Sequence, residues 1–133
     1  FINDAVRDLH RDYLRQLYNS NNPYTGMKVA EDPAIVFIDL VNESNTYTIT
    51  PSNETQDKET KAKFSEWLKA KYGTDEAIRK AWYFDGKEGV LEVESLEKQN
   101  YDCGTYSFRK TYTYPRQEDA VHFLSDIAEA RMR

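Results

Sequence analysis

Apolar positions recur at three- and four-residue spacing in several stretches of the chain and run together in one. Ile2, Val6, Leu9, Tyr13, Leu17 and Tyr18 make a single stripe over residues 2–18, the pattern of an amphipathic helix. Turn formers and a proline in NSNNPYTG, residues 19–26, stop it. Pro33 then leads into AIVFIDLV, residues 34–41, where Val, Ile and Phe favour a strand. With no polar face, such a strand must be covered on both sides, as in a parallel sheet or barrel.

Residues 44–59 are polar and read as a long loop. Phe64, Trp67, Leu68 and Tyr72 describe a second helix over 60–72, ended by Gly73. Thr74 caps a third over 75–83, with Asp75 and Glu76 in the turn where the amide end prefers negative charge. Residues 84–114 lack periodicity, and Glu92, Glu94 and Glu97 read there as a solvated acidic run. Pro115 opens a last helix over 116–132, with Val121, Leu124, Ile127 and Ala128 facing inward and Phe123 beside them. One buried strand is not a sheet, because its backbone groups need ladder partners. The chain therefore reads as a piece of a longer protein whose other strands lie outside it.

Composition narrows the functional classes. The 133 residues are 39% hydrophobic and 31% charged, ordinary for one globular domain. A net charge of -5 argues against nucleic acid and anionic membranes, which require basic surfaces. No apolar run approaches the roughly 20 residues that span a bilayer. Cys103 is the single cysteine, so no disulfide within the chain is expected. His10 and His122 lie far apart, and neither a metal nor a cofactor is expected. Aromatics reach 14%, which core packing explains more readily than ligand stacking. The sequons at Asn42 and Asn53 carry no evidence of modification by themselves.

The strand stops on Asn42-Glu43, at the end where barrels place their chemistry. Asn22-Pro23-Tyr24-Thr25-Gly26, then Glu31-Asp32-Pro33-Ala34, then Asn42-Glu43 resemble the fourth-strand region of clan A retaining glycoside hydrolases, cellulase-like and β-galactosidase-like. Phe64, Trp67-Leu68, Lys71-Tyr72-Gly73-Thr74 and Ala81-Trp82 resemble the insertion that follows that strand. The resemblance implies an α/β fold, part of a (β/α)8 TIM barrel. Residues 1–43 would hold its third helix and fourth strand, 44–114 an insertion on the active-site face and 115–133 the following helix. It further implies cleavage of β-linked oligo- or polysaccharides with retention.

In that scheme Glu43 is the general acid/base, and Asn42 contacts the sugar 2-hydroxyl. A retaining mechanism needs one carboxyl that first donates and later accepts a proton. Burial at a strand end would raise a Glu toward that role. Tyr47 and Trp82 are candidate sugar-stacking rings. Asp39 shares the parity of Glu43 along the strand, and reads as a buried structural carboxylate behind it. The partner nucleophile, a second strand-end Glu roughly 5–5.5 Å away, has no counterpart in the sequence. The chain alone is therefore expected to be inactive, with the remainder of its own barrel as a further partner. Two other readings stand beside this one: a non-hydrolytic carbohydrate-binding or structural barrel relative, and an α-rich interaction domain with one buried strand.

Overall fold

A computed structural model describes residues 2–38, 53–104 and 112–132, with side chains to residue 130. Among these residues the regular elements are four α-helices and one short 3-10 turn: α1 (Asp4–Asn19), the turn Val29–Glu31, α2 (Glu54–Tyr72), α3 (Asp75–Trp82) and α4 (Tyr114–Met132). Pairing among the described residues is limited to isolated bridges, Asn21 with Lys28 and Phe84 with Lys87. The expected α/β barrel is thereby corrected to a helical architecture. The resemblance to cellulase-like and β-galactosidase-like hydrolases falls with it.

The correction has a local cause. Asp32 Oδ1 accepts from the Ala34 amide at 2.9 Å, and the Asp32 carbonyl accepts from Ile35 N at 3.0 Å. Asp32-Pro33 thus starts a turn that absorbs the first residues of the expected strand. Residues 35–38 beyond it have no ladder partner among the described residues, and Val36 and Phe37 are 92% and 81% exposed rather than buried. Residues 39–41 of the expected strand lie outside the described residues.

The chain divides into two compact units, one of residues 1 and 3–44 and one of residues 2 and 45–133. In the first, Asn3 caps α1 by accepting from Val6 N at 3.1 Å. Ser20 ends it, its amide and hydroxyl both donating to the Leu17 carbonyl. A loop closed by Asn22 N to the Met27 carbonyl follows, with Gly26 at φ 73°.

In the second unit α2, α3 and α4 pack on one another. Asn53 caps α2 through Gln56 N, so that the helix begins at Glu54, six residues before the expected start. The first turns are held by Lys58–Glu54 and Lys61–Asp57 pairs, which an apolar-periodicity reading does not detect. Gly73, at φ 81°, ends α2, and Thr74 caps α3 through Ala77 N, both as expected. Thr60, Phe64 and Leu68 form the buried edge of α2. They meet Ile78 and Trp82 of α3 and Ala120, Phe123 and Leu124 of α4. Phe64 lies 5.0 Å from Phe123, ring centre to ring centre, and Trp82 meets Tyr101 edge-on at 5.6 Å. Burial of each such side chain contributes about 1.5–3 kcal/mol.

Candidate functional site

Charged and polar groups inside the second unit come first, because buried titratable clusters are where chemistry is usually arranged. Arg116 is fully buried on α4. Its Nη1 and Nη2 donate to the two carboxylate oxygens of Glu94 at 2.8 and 2.6 Å, and to the carbonyls of Gly89 and Asp102 at 2.7 and 2.5 Å. The guanidinium lies between rings, 3.8 Å from the centre of Tyr112 and 4.8 Å from that of Trp82. Glu94 also accepts from Leu91 N and Asp102 N. Glu94 is therefore not part of a solvated run, although Glu92 and Glu97 are exposed.

Asp119, one turn along α4, accepts from Trp82 Nε1 at 2.7 Å, Tyr72 Oη at 2.8 Å and Lys71 Nζ at 2.5 Å. Asp75 accepts from Leu96 N and Tyr101 Oη, both at 2.8 Å. Glu94 is thus engaged by four donors, Asp119 by three and Asp75 by two. A general acid or base needs an oxygen open to a reactant. Glu94 and Asp119 have both oxygens engaged and tie residues 89–104, α2 and α3 to α4, while Asp75 takes both of its donors on Oδ1 and ties α3 to residues 96 and 101.

Trp82 has no exposed surface, so its ring packs in the core rather than offering a sugar-stacking face. Asp39, Asn42, Glu43 and Tyr47 lie outside the described residues. A retaining site requires two carboxyls at strand ends facing one sugar, and no barrel strand is present among the described residues to carry either. The retaining glycoside hydrolase, the O-glycosyl hydrolase activity and the carbohydrate-binding barrel alternative are corrected on that ground. Among the described residues no group of three or more His, Cys, Asp or Glu could hold a metal ion, and Cys103 is buried. A shallow depression of about 210 Å³ on the outer face of α4 is lined by Tyr114, Gln117, Glu118, Val121 and His122. Val121, expected to face inward, lies there instead.

The first unit presents a different kind of surface. α1 has no buried residue along its 16 positions. Val6, Leu9, Tyr13 and Leu17 stand along one face, with Leu9 70% and Tyr13 60% exposed. The opposite face carries ion pairs of Asp4 with Arg7 (2.9 Å), Asp8 with Arg11 (3.5 Å) and Asp12 with Arg15 (3.2 Å). The helix is thus two-sided: paired charges on its back, exposed apolar side chains on its front. Its stripe is legible in the sequence, and the structure leaves Val6, Leu9, Tyr13 and Leu17 of it exposed while Ile2 is buried. Comparison with known proteins adds no assignment: no protein-family model, curated protein or solved structure matches the chain.

Proposed function

We propose that the chain is a helical interaction module that docks through the apolar face of α1. The observation that carries this reading is the exposure of Leu9 and Tyr13 on a fully formed, capped helix. An amphipathic helix in water gains its stability from covering such a stripe, so the stripe is a docking face for an apolar surface. Contiguous apolar patches of this kind mark interaction sites far more often than single exposed residues do. The engagement of both oxygens of Glu94 and of Asp119 by internal donors supports a structural role for these two carboxylates. A β-linked glycan partner was implied only by the barrel resemblance and has no other support.

The test is the double substitution Leu9→Asp, Tyr13→Asp. Binding of a hydrophobic fluorescent dye should fall, while the urea midpoint of the second unit's unfolding stays within the roughly 0.5 kcal/mol typical of surface changes. Unchanged dye binding would overturn the reading. So would a loss of stability on the scale of a core substitution, since that would mean the stripe is already covered within the chain.

A further inference from the structure

We draw no further inference here: the strongest candidate, the exposed apolar face of α1 formed by Val6, Leu9, Tyr13 and Leu17, belongs to the docking surface already described, and nothing in the structure shows what covers it.

Discussion

Arg116 and Glu94 form a buried ion pair inside the second unit. Both are buried, and the pair is bidentate with every carboxylate oxygen also bonded to backbone amides. Removing one partner leaves an uncompensated charge in low dielectric, which costs about 3–5 kcal/mol. Glu94→Gln should therefore lower the free energy of urea unfolding by that order. Glu97→Gln, three residues on and exposed, should stay within about 0.5 kcal/mol. The same interior makes the fold sensitive to base. Burial pushes the Tyr112 phenol from 10.0 up to about 12, Asp102 adding to the rise and Arg116 opposing it. Burial likewise pushes the Cys103 thiol from 9.0 up to about 12. Both groups hold their protons more tightly folded than unfolded, so their contribution is intact below about pH 9 and is lost as pH climbs through about 12. Urea midpoints measured between pH 8 and pH 12 should fall across that window, with little change below it.

At the scale of elements, α1 and α2 have opposite dependence on their apolar faces. Phe64 of α2 has no exposed surface and meets Trp67, Trp82 and Phe123. Its truncation to alanine should cost about 3–5 kcal/mol in equilibrium unfolding, whereas Leu9→Ala on α1 should cost less than about 1 kcal/mol. Capping explains why these elements lie where they do. Asn3, Asn53 and Thr74 each accept from an amide three residues on, and Gly73 turns the chain out of α2 at φ 81°. Thr74, Gly73 and Pro115 were readable as boundaries because caps act within a few residues. The start of α2 was not, since its first turns rest on Asn53 and on Lys–Glu and Lys–Asp pairs rather than on an apolar stripe.

For the whole chain, the division into two units predicts uneven protection. Amides of α2 and α4 lie in elements with buried faces, while α1 has none. Hydrogen exchange of the chain should show α1 exchanging faster than α2 and α4 by orders of magnitude, and equal protection would contradict the exposure of α1. Sequence alone determined what local chemistry determines: the four helical segments, Gly73 after α2 and Thr74 before α3, the turn at residues 19–26 and the apolar stripe of α1. Only tertiary structure decided what each face meets. The apolar run after Pro33 carries strand propensity, but a sheet is a non-local object, and no described segment pairs with it. Glu94 and Arg116 lie 22 residues apart, and an ion pair at that separation leaves no periodic mark in the sequence. Whether the stripe of α1 is core or surface is likewise not written in its spacing, because amphipathicity shows that a face wants cover and only the fold shows whether it has it.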